Sequence, residues 1–334
     1  MELIDLTLIW IVLIGFGITM YVLMDGFDLG VGILYPFAPS EQARDDMMNS
    51  VAPVWDGNET WLILGGAGLL AAFPLVYSVL LPALYIGVFL LLAGLIFRGV
   101  AFEFRFKAGR SRWLWNHAFN IGSTVAAFAQ GAVVGAWIQG IETDGFHYVG
   151  GAFDWLTPFT VMTGLGVVTG YALLGATWTI MKTEGHVQEW AYRIAPWLVG
   201  AMMAFFLIVS LWTPFASERV FSRWVDNAHL LWVFPVLTLV ITWWLWQALR
   251  QRREVVPFLA TMGIFIMFML GMLISKWPYA IPPEHTFYDA ASDPGSQLFL
   301  LIGFLFIIPI VLGYTAWTYW VFRGKVSAQQ GYGH

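Results

Sequence analysis

A few acidic residues interrupt the long apolar stretches of this 334-residue sequence, and they are the first candidates for chemistry. Asp25 and Asp28 stand three residues apart in one stretch, and Asp56 and Glu59 repeat the spacing in the next. On a helix this spacing places both carboxylates on one face, where repulsion between two ionised groups favours sharing of a proton. Because charges at membrane depth are costly and mark functional sites, both pairs are candidates for proton or ion transfer.

Arg98 and Glu103 lie near the end of a third apolar stretch. A helical rise of about 1.5 Å per residue puts Asp25, Asp56 and Arg98 at similar depth. Acids and a base at one depth on consecutive helices predict an uptake path for protons or ions, in which the arginine limits the net charge. Two alternatives stay open, a buried ion-pair cluster that only fixes helix packing and a secondary transporter whose midplane carboxylates bind a coupling ion. Acids confined to the first three stretches favour one-sided uptake over transport.

Trp55 is the aromatic residue that we single out, because it stands beside Asp56. A flat ring next to a polar group suits a quinone or a lipid tail, although an interfacial tryptophan is an equally good interpretation.

Metal and haem sites are not indicated. Cysteine is absent, which excludes a thiolate zinc site and an iron–sulfur cluster made by this chain. A haem between helices needs axial ligands within the spans, so we expect no haem on this chain, although His117 and His229 leave the question open. The histidines fall in loops, at predicted span ends or at the terminus: His117, His147, His186, His229, His285 and His334.

The elements that position these residues are membrane helices. The sequence is 59% apolar and 11% charged, whereas soluble domains carry roughly 25% charged residues. Its 19 Trp and 12 Tyr are a second membrane signature, since amphipathic rings concentrate at headgroup depth. No basic run suggests nucleic acid, and loops of about twenty residues are too short for a soluble core. We therefore expect one transmembrane domain, 1–334.

Windows of roughly twenty apolar residues predict about nine spans in an all-α fold. The second is the weakest because its first half is polar, so eight spans is the alternative. The predicted spans are 7–34, 50–73, 76–104, 116–138, 157–182, 194–214, 227–249, 256–276 and 297–322.

Loop charges orient these spans, because Lys and Arg concentrate in short cytoplasmic loops. Loop 139–156 has no Lys or Arg and loop 277–296 has none, so both are predicted to lie outside. Nine spans then place the N-terminus in the periplasm and the C-terminus in the cytoplasm. The residues that mark the inside are Arg105, Lys107, Arg110, Arg112, Arg250, Arg252, Arg253, Arg323 and Lys325.

Several strings of the sequence resemble subunit II of the cytochrome bd ubiquinol oxidases. The resemblance runs through the whole chain in order. It is carried by residues 21–32 (YVLMDGFDLGVG), 53–64 (PVWDGNETWLIL), 72–74 (AFP), 97–105 (FRGVAFEFR) and 319–326 (YWVFRGKV).

This resemblance implies an enzyme of the bacterial inner membrane that oxidises quinol at the outer face. Oxygen is reduced to water with cytoplasmic protons, which generates a membrane potential. Haems b and d are expected in the partner, subunit I, and the fold is expected to be two four-helix bundles plus one peripheral helix. A bound ubiquinone, lipid and small single-span accessory subunits are compatible with it. Residue by residue, it assigns a quinone to Trp55 and the proton path to Asp25, Asp28, Asp56, Glu59, Arg98 and Glu103.

Overall fold

The computed structural model describes residues 5–326, so His334 lies outside the described residues. Most of this part is α-helical, and a small antiparallel pair, β1 (Tyr279–Ile281) and β2 (His285–Thr286), lies in one loop. The helices are α1 (Leu6–Leu34), α2 (Glu41–Val51), α3 (Trp55–Ala72), α4 (Pro74–Arg105), α5 (Arg112–Gln139), α6 (Pro158–Lys182), α7 (Gly185–Ala216), α8 (Glu218–Asp226), α9 (Ala228–Leu231), α10 (Val233–Arg250), α11 (Val256–Lys276) and α12 (Pro294–Val321).

Within residues 5–326, eight helices are long and apolar enough to cross a membrane: α1, α4, α5, α6, α7, α10, α11 and α12. The all-α membrane fold is thereby confirmed. The predicted second span corresponds to α3, whose polar first turns lower its mean hydropathy and whose 18 residues extend about 27 Å. The grouping into two four-helix bundles and a peripheral helix stays a prediction.

The predicted starts of the second and sixth spans differ from the structure. Residues 41–51 form the separate helix α2, capped by the Ser40 hydroxyl, which accepts from the Ala43 amide at 3.1 Å. The helix of the second predicted span therefore begins at Trp55 rather than at residue 50. Helix α7 begins at Gly185 rather than at residue 194, because its first turns are amphipathic and bury Trp190.

The helices run between two ends of the molecule. At the first, the Lys276 end, Tyr288 donates to Asp5 at 2.7 Å and the Ser292 amide donates to the Ala72 carbonyl at 2.9 Å. Helix α3 thus reaches this end although it is short. At the second, the Arg105 end, α4 meets α2 and α5, and α6 meets the end of α12.

The end of α12 is fixed by ionic contacts at the Arg105 end. Lys182, buried at the end of α6, donates to the carbonyls of Phe322 and Gly324. Lys325 donates to Glu254 at 2.7 Å, and this bond, together with one from Gln188, lowers the pKa of the Glu254 carboxyl.

Glycines allow the helices that carry the acidic residues to approach closely. A Cβ at Gly30 of α1 would collide with the Tyr171 carbonyl oxygen and lie 2.7 Å from the Gly175 amide of α6. Gly94 of α4 and Gly122 of α5 stand in the same relation, since a Cβ on either would lie 2.6 Å from the other's carbonyl oxygen. Small residues at helix crossings are typical of membrane bundles, where close backbone packing stabilises association.

Candidate functional site

The Arg98 guanidinium is the centre of the candidate site. Its side chain is 0% exposed and lies within ion-pair distance of three carboxylates. Nη2 is 2.8 Å from Asp25 Oδ1 and contacts Glu59 directly, while Nη1 is 4.0 Å from Asp28 Oδ2. The structure thus brings four of the six residues predicted for the proton path into one cluster.

Helix α1 presents two of these carboxylates because it is buried where they occur. Its residues 23–34 are all buried among the neighbouring helices, and the spacing of three residues turns Asp25 and Asp28 toward the same neighbour. Arg98 faces them from α4, seven residues before the helix ends at Arg105. Glu59 approaches from the second turn of α3, and its side chain remains 24% exposed.

Asn58 joins three helices beside this cluster. Its buried amide donates to Asp28 Oδ2 at 2.7 Å and to the Met24 carbonyl at 3.2 Å. Its carbonyl oxygen accepts from the Tyr319 hydroxyl of α12 at 2.9 Å. Asn58 therefore orients one Asp28 oxygen and ties α1, α3 and α12 together.

A second hydrogen-bonded chain begins one turn before Asp25. The Gln130 amide donates to the Tyr21 hydroxyl oxygen at 2.9 Å, and the Tyr171 hydroxyl donates to Gln130 at 2.6 Å. Because Tyr21 accepts from Gln130, its own O–H remains available to another acceptor. Asp25 is the residue one turn further along the same face.

Trp55 packs against α4 at the edge of the cluster. Its half-buried ring stacks on Phe102 with centroids 5.0 Å apart and lies 5.7 Å from Arg98 Cζ. Gly99 makes room for it, since a Cβ there would lie 3.1 Å from the indole. Trp55, the residue predicted to contact a quinone, therefore packs over the Arg98 guanidinium.

Asp56 and Glu103 lie apart from the Arg98 contacts. Both side chains are exposed, and neither forms an ion pair within the described part of the chain. Because α3 begins at Trp55, Asp56 lies in its first turn. A helix that began at residue 50 would have placed Asp56 six residues, or about 9 Å, from its start. Asp56 thus stands between Glu59 and the Arg105 end.

The protonation chemistry of the cluster follows from its charges. One guanidinium cannot neutralise three ionised carboxylates, and excess negative charge is costly away from water. Both Asp25 oxygens and Asp28 Oδ1 are buried without a well-aligned hydrogen bond among the described residues. The 2.8 Å contact of Asp25 with Arg98 is therefore an ionic contact of poor alignment. These oxygens are acceptor positions where a proton relieves the excess charge.

A second ion cluster lies at the Arg105 end, and sequence reasoning assigned it no role. Arg105 is buried, donates to Asp45 Oδ1 at 2.6 Å and to Asn116 Oδ1 at 2.7 Å, and has its Cζ 5.4 Å from the Tyr35 ring. Arg112 also pairs with Asp45. These contacts hold α2 against the ends of α4 and α5.

The sequence also missed Asn58, Tyr21 and Gln130 as members of the site. Asn58 had a signal, because it is a polar residue between Asp56 and Glu59 in a helix that crosses apolar surroundings. Tyr21 precedes Asp25 by one helical turn, which is a weaker signal. Gln130 had none beyond its being a polar residue within a predicted span.

Comparison with known proteins gives a consistent result. A family model described as cytochrome bd terminal oxidase subunit II matches residues 6–322. The cytochrome bd-I ubiquinol oxidase subunit 2 of Escherichia coli (strain K12) is 28% identical over 361 residues, covering 96% of this chain and 94% of that protein. The cytochrome bd ubiquinol oxidase subunit 2 of Bacillus subtilis (strain 168) is 27% identical over 335 residues, covering 96% and 97%.

The fold also resembles a solved structure. A chain of the bd oxidase from Geobacillus thermodenitrificans superposes with a TM-score of 0.78 at 18% sequence identity. The match covers 96% of this chain and 99% of that chain, so the likeness extends to the whole fold.

Proposed function

The chain belongs to the family of cytochrome bd terminal oxidase subunit II, a component of respiratory quinol oxidases, and we propose that it conducts protons toward the oxygen-reducing site of its partner. The observation that carries the proposal is the buried Arg98 with its three carboxylates, one of which is partly exposed. The partner is subunit I, which holds haems b and d.

The distribution of histidines supports haem binding by the partner. A haem between helices needs inward-facing axial ligands. His117, His186 and His229 are exposed near the starts of α5, α7 and α9, and His147 and His285 lie in loops. None of these five described residues points into a helix bundle, which supports our proposal that the partner, and not the described part of this chain, holds the haems.

The proposed path begins at the Arg105 end, which we place in the cytoplasm. Apart from Arg219, Arg223 and Lys276, all Lys and Arg residues lie at this end or within about three turns of it, as the positive-inside rule requires of a cytoplasmic face. A proton taken up near Asp56 and Glu103 reaches Glu59, whose partial exposure makes it the link to the buried cluster. From Glu59 it passes to the Asp25 and Asp28 oxygens around Arg98.

A proton path is needed because oxygen is reduced away from water. Oxygen reduction consumes protons at a buried haem, and apolar helices cannot deliver them. Carboxylates can deliver protons, because they take up a proton and release it. Since quinol is oxidised at the opposite face, uptake from the cytoplasm generates a membrane potential.

The test uses the assembled oxidase in liposomes. We expect Glu59→Gln and Asp25→Asn to lower quinol-driven oxygen consumption and proton uptake about 10²-fold, within the range that proton-transfer groups contribute. Asp56→Asn should lower both less, because Asp56 is exposed and water can substitute for it. Haem absorbance spectra should stay normal in all three variants.

The matched control is Glu189→Gln, an exposed carboxylate at the Arg105 end that pairs with Arg252. It should leave turnover unchanged. Loss of the haem spectra in Glu59→Gln and Asp25→Asn would instead support the alternative in which the cluster only fixes helix packing. Normal spectra with normal turnover would remove the proposed path altogether.

Trp55 is proposed as the contact for a bound ubiquinone. Its half-buried ring beside an exposed Asp56 offers a stacking face and a hydrogen-bond acceptor. Trp55→Ala should purify with less quinone than the parent complex, measured by extraction and chromatography, whereas Trp113→Ala, an exposed tryptophan of α5, should retain it. Equal quinone content in both variants would contradict the assignment.

A further inference from the structure

A cationic cavity lies at the Lys276 end, remote from the carboxylates around Arg98. Its volume is about 450 Å³, and it opens between the end of α7, helix α8 and the end of α11. Three basic side chains line it, Arg219, Arg223 and Lys276. These are also all the Lys and Arg residues that the described chain places at this end.

The basic groups are held by neutral partners. Lys276 is 5% exposed and donates to the Ile138 carbonyl. Arg223 donates to the carbonyls of Ile274, at 2.9 Å, and Trp277. No ion pair within 4.0 Å joins any of the three cations to a carboxylate among the described side chains.

Arg219 completes the cluster from one turn before Arg223 on α8. It donates to the Pro283 carbonyl at 2.9 Å, and its Cζ lies 5.0 Å from the Tyr279 ring. Residues four apart share a helix face, so both guanidinium groups reach the same cavity. Each guanidinium carries five N–H donors, and these contacts leave several of them for a ligand.

Among the described side chains no carboxylate pairs with these cations, and unbalanced charge is costly at this depth. Clustered cations repel one another, and partial burial weakens their hydration, so an anion that enters the cavity gains the attraction of all three. Guanidinium groups match the oxygens of a phosphate in bidentate geometry. A volume of about 450 Å³ is ample for a phosphate ester.

The surroundings are those of a membrane interface. Trp277 and Trp224 flank the cavity at the end of a span, and the Trp224 indole donates to Ser275 at 2.8 Å. Helix α8 exposes the apolar side chains Phe221 and Val225, beside which acyl chains can lie.

We propose that this cavity binds a phosphate-bearing anion, coordinated by Arg219, Arg223 and Lys276. A phospholipid headgroup and free inorganic phosphate are the two sources of this chemistry. The site is separate from the proposed proton path, so its test does not depend on that path.

The experiment measures binding of phosphatidylglycerol to the purified, delipidated oxidase complex by native mass spectrometry. We expect Arg219→Gln/Arg223→Gln to bind the tightest phosphatidylglycerol about 10²-fold more weakly than the parent, since two charged hydrogen bonds are lost and each contributes roughly a factor of ten. Lys107→Gln/Arg110→Gln removes two exposed charges at the Arg105 end and should bind like the parent. Oxygen consumption and haem spectra should be unchanged in both.

A second arm identifies the source of the phosphate. Inorganic phosphate at millimolar concentration is added to the same titration, and displacement of the tight lipid shows that the site accepts the free ion, whereas persistence assigns it to the lipid headgroup. If the double variant fails to assemble, the single change Arg219→Gln, on the most exposed of the three side chains, replaces it with a smaller expected loss. Equal lipid binding by the parent and by the variants changed at Arg219, single or double, would overturn the proposal.

Discussion

At the scale of single residues, Asn58 decides how the acidic cluster is arranged. It fixes one Asp28 oxygen and is itself fixed by the Tyr319 hydroxyl, so its position depends on α12 as well as on α1. Arg98 provides the positive charge of the cluster, and Asn58 fixes the orientation of the Asp28 carboxylate. The contribution of Asn58 to stability can be measured.

We expect Asn58→Leu to destabilise the chain by about 3 kcal/mol, because buried hydrogen-bonding groups left unpaired cost roughly 1–3 kcal/mol each. Its loss unpairs groups of Asp28, Met24 and Tyr319. Tyr319→Phe removes a single bond and should cost about 1 kcal/mol. Thermal unfolding of the purified complex, followed through helical circular dichroism, measures both.

A double-mutant cycle controls for effects elsewhere. If Asn58 and Tyr319 act through their mutual bond, the double variant should be more stable than the sum of the two single losses indicates. Simple additivity would mean that the 2.9 Å contact contributes nothing.

At the scale of elements, the site depends on how closely α1 approaches α6. The two helices touch backbone to backbone at Gly30 and Gly175, and Gly26 packs beneath the Tyr171 ring. Any increase in their separation would shift Asp25 and Asp28 relative to their partners on α3 and α4. Glycine is required here for close approach.

Gly30→Ala should therefore lower the yield and thermal stability of the assembled oxidase, since overpacking costs about 1–3 kcal/mol and backbone atoms cannot move aside as side chains can. Gly15→Ala on the same helix is the matched control, because a Cβ there meets nothing within 4 Å. Haem absorbance of purified membranes reports assembly. Equal yields of the two variants would show that the oxidase assembles even when α1 and α6 lie further apart.

At the scale of the whole molecule, the asymmetry of charge between the two ends is the basis of the proposed orientation. Helix α1 begins at the Lys276 end and α12 ends at the Arg105 end, which requires an odd number of crossings. We propose that helix α3 supplies the odd crossing, since it runs between the two ends although its composition falls short of that of the eight apolar helices. Its polar first turns are tolerated because Asn58 and Glu59 find partners on α1, α4 and α12.

Orientation can be tested cleanly because the chain has no cysteine. We expect Asp144→Cys, at the Lys276 end, to react with a membrane-impermeant maleimide in intact cells. Arg110→Cys, at the Arg105 end, should react only after lysis, and the parent complex corrects for labelling of other subunits. Both side chains are exposed, so access to the reagent and not burial decides the result. The opposite pattern would reverse the proposed topology.

The sequence by itself determined the membrane class, the family and the candidate acids. Those conclusions rest on composition and on short strings, and both are properties of the chain in any conformation. The i,i+3 spacing of Asp25 and Asp28 correctly placed them on one face, because helical periodicity is local. The family resemblance is confirmed by a match over residues 6–322.

Tertiary structure alone decided which acids meet Arg98. Glu59 reaches it and Asp56 does not, although both lie on α3, because the helix begins at Trp55 and packs its Glu59 side toward α4. The contribution of Gln130 depends on a contact 109 residues away along the chain. The cationic cavity forms because the end of α11 lies beside α8. Such contacts arise from the packing of separate helices, and no local pattern in the sequence encodes them.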